Sequence, residues 1–263
     1  MIDEIGRRGP RRTPGGSVLL LAHRGGSGPW RENTLEAFRG GLRQGADGVE
    51  LDIRLTADRR LVVHHDAEVA GIGAIDTLRT SELPAWIPAL GEALAACAGA
   101  TVNVEIKNEP GEPGSHPDTP TADQVMADEV AAALAASAAV DDAPAHVIVS
   151  SFWPASLEAL RRVAPAVPTG LLVHPAFDAT EAARQAAAMG CTALHPFHAQ
   201  ATPALVELVH GLDMSVAVWT VNERADLAAA VASGVDVVIS DRVTEMRQVL
   251  DAAGGDGSPP GER

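Results

Sequence analysis

The chain has 263 residues, of which 46 % are hydrophobic and 21 % are charged, and this is the length and composition of one large globular domain. Its formal charge of −15 argues against binding to nucleic acid and against a general attraction to anionic membranes. We therefore expect no nucleic-acid partner.

The two ends of the chain differ in composition from its middle. Residues 1–16 are rich in Gly, Pro and Arg and predict a flexible leader, and residues 253–263 predict a similar tail, which leaves 17–252 as the folded domain. The first apolar run, 18–22, is too short for a signal peptide. No stretch approaches the ~20 apolar residues of a membrane span. These features predict a cytoplasmic protein, and they leave open whether it is a monomer or a dimer.

Short β-branched or Leu-rich runs alternate with Ala-rich helical patterns along the middle of the chain. The runs that predict strands are 18–22, 48–54, 61–64, 101–106, 146–151, 168–173, 192–195, 215–220 and 235–240. The stretches that predict helices are 35–44, 87–97, 122–138, 154–163, 179–189, 203–210, 223–232 and 243–252. Strands that alternate with helices indicate an α/β fold with a parallel sheet, and eight such units form a (β/α)8 TIM barrel.

The third run, 61–64, does not fit a parallel sheet. Only six residues separate it from the second run, whereas a parallel crossover takes about a dozen or more. We therefore predict a β-hairpin extension after the second strand, with a turn near residues 57–59. In this register Glu50 faces His65, so the imidazole lies next to the carboxylates of the second strand.

Polar residues are dense where the predicted strands end, which is where TIM barrels place their reactive groups. Glu50 and Asp52 are two residues apart on one strand and so share a face, and Glu105 and Lys107 repeat this spacing on another. Three converging carboxylates need a cation to stay ionised together, and an all-oxygen set suits Ca²⁺ or Mg²⁺, with Mn²⁺ also possible. The alternative is a structural ion pair with an arginine such as Arg24.

Two histidines at strand ends, His23 and His65, are candidates for an acid and base pair, because imidazole titrates near neutral pH. His64 faces the other way on its strand and receives no role. Lys107 is the only lysine in the chain. Lys and Arg are not equivalent beside a metal-bound phosphate, so we expect that the chemistry of the site requires a lysine at this position. Trp219, also at a strand end, could contact substrate or simply pack at the rim.

These residues belong to a series of motifs that resembles the glycerophosphodiester phosphodiesterase family. The resemblance covers residues 18–250 and is specific because the motifs occur in order. They are His-Arg-Gly at 23–25, Glu-Asn-Thr-Leu-Glu-Ala-Phe at 32–38, Gly-Ala-Asp-Gly-Val-Glu-Leu-Asp-Ile at 45–53, Val-Val-His-His-Asp at 62–66, Asn-Val-Glu-Ile-Lys at 103–107, Ser-Phe at 151–152, Trp-Thr-Val-Asn at 219–222, and the segment 234–241.

The resemblance implies a TIM barrel that hydrolyses glycerophosphodiesters to sn-glycerol 3-phosphate and an alcohol. Position by position, it implies one divalent cation on Glu50, Asp52 and Glu105, general base and acid roles for His23 and His65, phosphate contacts from Arg24 and Lys107, and a glycerol contact from Trp219. Two loop positions depart from the pattern: Arg31 and Val243 stand where proline is common.

Other functions remain open on the same barrel. A lysophospholipase D or a phospholipase C-like enzyme would need an apolar surface for acyl chains, and aromatic residues make up only 3 % of the chain. A barrel that binds a phosphorylated ligand without turnover is the non-enzymatic alternative. The His-x-His motif that a binuclear amidohydrolase carries on its first strand is absent. The Pro-rich segment 108–117 is predicted to form a stiff loop at the site entrance that restricts bulky head groups.

Overall fold

The computed structural model describes residues 17–107, 120–140 and 143–254. The predicted leader 1–16, the loop 108–117 and the final part of the predicted tail, 255–263, lie outside the described residues. The domain limits and the role of that loop therefore stay predictions.

Within the described residues the chain forms eleven strands and eight α-helices. The strands are β1 Leu19–His23, β2 Gly48–Leu55, β3 Leu61–Val63, β4 Glu68–Val69, β5 Gly73–Ala74, β6 Thr101–Ile106, β7 His146–Ser151, β8 Thr169–Val173, β9 Ala193–Pro196, β10 Ser215–Val218 and β11 Val237–Ser240. The helices are α1 Leu35–Arg43, α2 Leu90–Ala96, α3 Pro120–Ala138, α4 Pro154–Val163, α5 Ala179–Ala188, α6 Pro203–Gly211, α7 Arg224–Ser233 and α8 Val243–Gly254.

Eight of the strands close into a parallel barrel. The pairing order is β1-β11-β10-β9-β8-β7-β6-β2, and β1 also pairs with β2, which closes the ring. Helices follow the barrel strands and pack outside them, so the predicted TIM barrel is confirmed. All nine runs that predicted strands form strands, and every predicted helical stretch contains an α-helix.

The hairpin after β2 is present, but its predicted register is wrong by one residue. β3 pairs antiparallel with β2 through Ile53 and Val63, Arg54 and Val62, and Leu55 and Leu61. The shift arises in the turn, where Arg59 adopts a left-handed conformation with φ 58°. That residue lengthens the turn by one position relative to a simple two-residue loop.

The new register changes the neighbour of Asp52 across the hairpin. The backbone N–H of His64 donates to the carbonyl of Asp52 at 3.0 Å, so the hairpin brings His64 opposite Asp52. His65 still interacts electrostatically with Asp52. The predicted proximity of His65 to Asp52 is therefore confirmed, whereas the predicted pairing of His65 with Glu50 is wrong.

Helix α2 begins three residues later than the predicted stretch 87–97. The cause is strand-like pairing at the start of that stretch. The N–H of Val63 donates to the carbonyl of Pro88 at 2.9 Å, and Val62 forms an isolated bridge with Ala89. These residues extend the edge of β3 instead of joining the helix.

Local sequence explains where the first helix begins and ends. Thr34 caps α1, because its hydroxyl accepts from the N–H of Ala37 at 3.2 Å. Glu36 lies in the first turn and Arg43 in the last, where each complements the helix dipole. Gly45, with φ 97°, then turns the chain toward β2.

Alternation along the strands separates the core from the site. In β2, Val49, Leu51 and Ile53 are fully buried in a cluster with residues of α1, α2 and α3. Glu50 and Asp52 occupy the other face, which points into the barrel. The barrel interior is therefore polar at this strand, whereas a small apolar cluster, formed by Leu21, Ala217, Val237 and Ile239, fills the side near β1, β10 and β11.

The stretch between β3 and α2 forms a small substructure that the sequence patterns did not predict. It contains the two-stranded pair β4–β5 and the short 3₁₀ turns Ile75–Thr77 and Thr80–Glu82. Its apolar residues Val69, Ile75 and Ile87 pack on Val62. This packing places the substructure beside the end of β3.

Across the described helices, none combines the length and the apolar composition that crossing a membrane requires.

Candidate active site

The strand register brings the predicted site residues together at the C-terminal end of the barrel. His23 on β1 lies beside Glu50 on β2, and Asp52 lies beside Glu105 on β6. Lys107 follows β6 directly and Arg24 follows β1. The three carboxylates each offer an oxygen within 4.8 Å of the others. Their predicted convergence is confirmed, and their role as metal ligands stays a prediction.

Two cations hold the carboxylates in place. The Nζ of Lys107 forms an ion pair with Oε1 of Glu105 and lies 3.4 Å from Oδ1 of Asp52. The Nε of Arg24 lies 3.2 Å from Oδ2 of Asp52. The backbone N–H of Arg24 donates to Oε2 of Glu50 at 3.0 Å. Asp52 thus has a cation beside each oxygen, whereas Oε2 of Glu50 receives a backbone hydrogen bond and lies 3.9 Å from Nε2 of His23.

The turn after β1 allows this arrangement. Arg24 has φ 50° and is followed by Gly25 with φ 93°, so the chain reverses within two residues. A Cβ on Gly25 would lie 2.5 Å from the Cβ of Ala37 on α1. Only glycine fits so close to the helix, and the tight turn aims the N–H of Arg24 back at Glu50.

Burial and charge move the pKa values of the carboxylates in different directions. Burial raises the pKa of Glu50 to about 7, and the charge of Asp52 adds to this effect. Burial also raises the pKa of Glu105 to about 8, although Lys107 opposes it. Burial would raise the pKa of Asp52 too, but the charges of Lys107 and Arg24 outweigh it and lower that pKa.

Lys107 remains charged in this surrounding. Burial by itself would lower the pKa of its amine, but Glu105 and Asp52 raise it above the ordinary value. Two protein cations, the amine of Lys107 and the guanidinium of Arg24, thus stand against three buried carboxylates.

The residues present fit a hard divalent cation. The Oε1 atom of Glu50 is buried and has no hydrogen-bond partner among the described residues. Ionised oxygens from Glu50, Asp52 and Glu105 are the ligands that Ca²⁺ and Mg²⁺ prefer. A cation here would offset the burial and the mutual repulsion that together raise the pKa values of Glu50 and Glu105.

His23 is oriented by a residue that had no predicted role. Its Nδ1 lies 2.7 Å from Oδ1 of Asp241, and its Nε2 lies 3.9 Å from Oε2 of Glu50. Burial lowers the pKa of His23, but the hydrogen bond to Asp241 and the charge of Glu50 raise it above the ordinary value. Asp241 in turn accepts from Nδ2 of Asn222 at 2.6 Å.

The imidazole of His65 is also held by a carboxylate, and it lies near Asp52. Its Nδ1 lies 2.8 Å from Oδ1 of Asp66, and its backbone carbonyl accepts from Nε of Arg54 at 2.8 Å. Burial lowers the pKa of His65, which the charge of Asp52 opposes. An ionised carboxylate can only accept, so Nδ1 of each histidine carries a proton and Nε2 is left for chemistry.

Trp219 belongs to an aromatic wall at the top of the barrel. Its ring meets Phe152 at 5.3 Å and Phe197 at 5.7 Å, both edge to face. Its indole N–H donates to the carbonyl of His195 at 2.8 Å, which fixes the ring. The Nζ of Lys107 lies 5.8 Å from the Phe152 ring, so this wall borders the charged cluster.

Sequence reasoning missed the residues that support the cluster. Asn33 donates through Nδ2 to Oδ2 of Asp52 at 2.8 Å and accepts from the N–H of Asp52. It lies in the Glu-Asn-Thr motif, where its φ of 56° is a position that Asn tolerates. Asp241, Asn222 and Phe152 also lie inside the family-like motifs, and no role was predicted for them. Their positions after the ends of strands are the feature of the sequence that could have indicated a place in the site.

Residues 23–245 match the Glycerophosphoryl diester phosphodiesterase family. The chain belongs to this family. The prediction that the chain is an enzyme of this class is therefore confirmed.

Individual relatives agree over most of the chain. A glycerophosphodiester phosphodiesterase of Caldanaerobacter subterraneus subsp. tengcongensis is 30 % identical over 244 residues, covering 85 % of this chain and 94 % of the relative. The glycerophosphodiester phosphodiesterase structure from Thermotoga maritima has a TM-score of 0.69 at 27 % identity, covering 88 % of this chain and 98 % of that one. A phosphodiesterase from Oleispira antarctica, in complex with the product sn-glycerol-3-phosphate, shares the fold with a TM-score of 0.75 at 23 % identity, covering 89 % and 97 % of the two chains.

Proposed function

We propose that this phosphodiesterase hydrolyses glycerophosphodiesters to sn-glycerol 3-phosphate and an alcohol, with a divalent cation and with His23 and His65 as acid and base. The observation that carries the proposal is the cluster of three buried carboxylates within 4.8 Å, with one carboxylate-held imidazole beside Glu50 and another near Asp52. A purely structural ion-pair network would not require two histidines with their Nε2 atoms left available.

The site is suited to an anionic phosphodiester even though the protein is acidic. Glu50, Asp52 and Glu105 would hold the cation, which supplies electrostatic stabilisation to the phosphate oxygens when bound. Arg24 and Lys107 already lie against these carboxylates. Their remaining N–H groups would bind phosphate oxygens. The site would then be locally positive although the net charge of the protein is negative.

The two imidazoles move the protons. One Nε2 takes the proton of the glycerol 2-hydroxyl, whose oxygen attacks phosphorus and forms a cyclic phosphate. The other histidine, protonated, gives its proton to the departing alcohol oxygen. Water then opens the ring with the two roles reversed. Asp241 and Asp66 hold the rings throughout by accepting from Nδ1.

Trp219 would pack against the glycerol carbons. Its indole is fixed by the carbonyl of His195 and by two aromatic neighbours, so it offers a rigid apolar face beside Lys107 and Phe152. A rigid wall would orient the 2-hydroxyl toward phosphorus at little entropic cost.

The direct test is hydrolysis of glycerophosphocholine after chelation, followed by addition of Ca²⁺, Mg²⁺ or Mn²⁺ in turn. We expect no activity in the chelated protein, recovery with at least one of these cations, and sn-glycerol 3-phosphate as product. Full activity after exhaustive chelation would contradict the cation requirement.

Substrate comparison separates this proposal from its alternatives. A lysophospholipase D would release choline from a lysophospholipid faster than from the deacylated diester. A barrel that only binds phosphorylated ligands would bind cation and sn-glycerol 3-phosphate without turning over any diester. We expect the deacylated diester to be the better substrate.

A further inference from the structure

A separate cavity opens beside His65. Its volume is about 250 Å³, and its walls include Arg31, Glu32, His64, His65, Glu68 and Trp86. Asn33 also lines it and donates to Asp52, so the cavity adjoins the carboxylate cluster. A phosphodiester held at that cluster would direct one of its two ester arms into this space.

The other ester arm has a different surrounding. The aromatic wall of Phe152, Phe197 and Trp219 follows strands β7, β9 and β10. The cavity is instead formed by the loop before α1 and the segment after β3. Under the proposed function, glycerol packs on the wall and the alcohol enters the cavity.

The indole ring of Trp86 faces the cavity, and the guanidinium of Arg31 already covers it. The guanidinium carbon of Arg31 lies 3.8 Å from the centroid of the Trp86 ring. The face of an indole is the preferred protein surface for an ammonium group such as that of choline. Arg31 occupies the position that such a group would take.

The acidic residues of the cavity are mostly engaged. Glu32 pairs with NH1 of Arg24 at 3.1 Å, and Asp66 accepts from His65 at 2.8 Å. Glu68 has no hydrogen bond or ion pair with any described residue. Arg31 and Glu68 are opposite charges on the same cavity, and Arg31 is the one that lies over the indole of Trp86.

We propose that Arg31, stacked on Trp86, fills the cation position of the alcohol subsite and makes the enzyme prefer diesters of neutral polyols over those of choline or ethanolamine. The inference rests on the proposed function. Arg31 is also where this chain departs from the proline of the resembling motif, so the stacking belongs to this sequence and not to the shared motif.

The kinetic test compares kcat/KM for glycerophosphoinositol and glycerophosphocholine in the wild type and in Arg31→Gln. We expect the choline-to-inositol ratio to rise about two- to fivefold, because an exposed cation–π position becomes free. Arg31→Lys keeps a cation on the ring and should stay near the wild-type ratio. Arg60→Gln removes an exposed charge at the hairpin turn and is the control for net charge.

Trp86→Leu in the Arg31→Gln background separates stacking from simple charge. The gain in the ratio should disappear in the double variant. An unchanged ratio in Arg31→Gln, or a gain that persists without Trp86, would overturn the proposal.

A second measurement does not depend on turnover. Choline is titrated against tryptophan fluorescence in the wild type, in Arg31→Gln and in the double variant. Saturable quenching should appear in Arg31→Gln, be weaker in the wild type and be lost without Trp86. Equal binding by wild type and Arg31→Gln would refute the subsite. Failure of the proposed function would instead show as a wild type that hydrolyses no diester with any cation.

Discussion

The imidazole of His23 is hydrogen-bonded at Nδ1 to the carboxylate of Asp241, 2.7 Å away, although 218 positions separate the two in the chain. The bond fixes the tautomer and turns Nε2 toward Glu50. Asp241 is itself held by Asn222, so the orientation of His23 depends on residues that follow β10 and β11.

Asp241→Asn should therefore reduce kcat. An amide can donate to Nδ1 and so favour the wrong tautomer, and we expect a loss of at least about 10-fold, up to the ~10²-fold expected for losing a general acid or base. The pKa of His23 should fall, because its hydrogen bond to the carboxylate raises it. Steady-state kinetics and an NMR titration of His23 check the two effects.

The control for this variant is Asp251→Asn, an exposed carboxylate on α8. It should change neither kcat nor the titration of His23. Normal turnover by Asp241→Asn together with an unaltered His23 pKa would show that the hydrogen bond does not orient the catalytic ring.

Replacement of either proposed proton carrier should cost at least ~10²-fold in kcat. His23→Ala and His65→Ala are compared with His146→Ala, an exposed histidine at the start of β7 on the opposite end of the barrel. We expect the His146 variant to retain wild-type rates on glycerophosphodiesters. Losses much below 10²-fold in both site variants would remove the acid and base assignment.

The carboxylate cluster predicts stabilisation by cations. Binding to the folded state alone adds about 2.7 kcal/mol when the cation is at 100 times its Kd. Glu50→Gln replaces an ionised ligand with a neutral one and should strongly reduce this stabilisation. Differential scanning calorimetry should then show a smaller rise of the thermal midpoint on adding Ca²⁺ or Mg²⁺ than in the wild type.

The matched control for the cation experiment is Glu245→Gln, which lies outside the cluster and pairs with Arg224 on the helical surface. Its thermal midpoint should shift with cation as the wild type does. Equal cation-induced shifts in Glu50→Gln and wild type would place the ion elsewhere.

His195 predicts a specific dependence of stability on pH. The ring is buried over Gly170, where a Cβ would lie 2.5 Å from Nε2, and Nδ1 has no hydrogen-bond partner in the described part of the chain. Burial lowers the pKa of His195 to about 4, from an ordinary value of 6.5. Between pH 6.5 and about pH 4 the unfolded chain binds more protons at this residue than the folded chain does, so the free energy of unfolding falls as the pH drops.

This loss should amount to as much as about 3 kcal/mol between pH 7 and pH 4. His195→Gln has no titrating ring, so its free energy of unfolding should depend less on pH across that window. Urea unfolding at pH 4.5, 5.5 and 7 measures the difference, with His146→Ala as the exposed control. Parallel pH profiles for wild type and His195→Gln would mean that the buried ring becomes charged without cost.

Most of the barrel followed from local pattern. Alternating apolar runs and Ala-rich stretches were sufficient, because strand and helix periods and the short β2–β3 connection depend on neighbouring residues alone. The i, i+2 spacing also placed Glu50 and Asp52, and Glu105 and Lys107, on shared faces of their strands.

Only the tertiary structure decided how these pieces meet. The left-handed conformation of Arg59 moved the hairpin by one residue, and no local composition marked it. Barrel closure brought Asp241 to His23, and the loop before α1 brought Arg31 to Trp86. The sequence by itself determined which chemical groups stand at the strand ends. Their partners came from closure of the ring and from loop paths, since contacts between distant residues depend on packing in three dimensions.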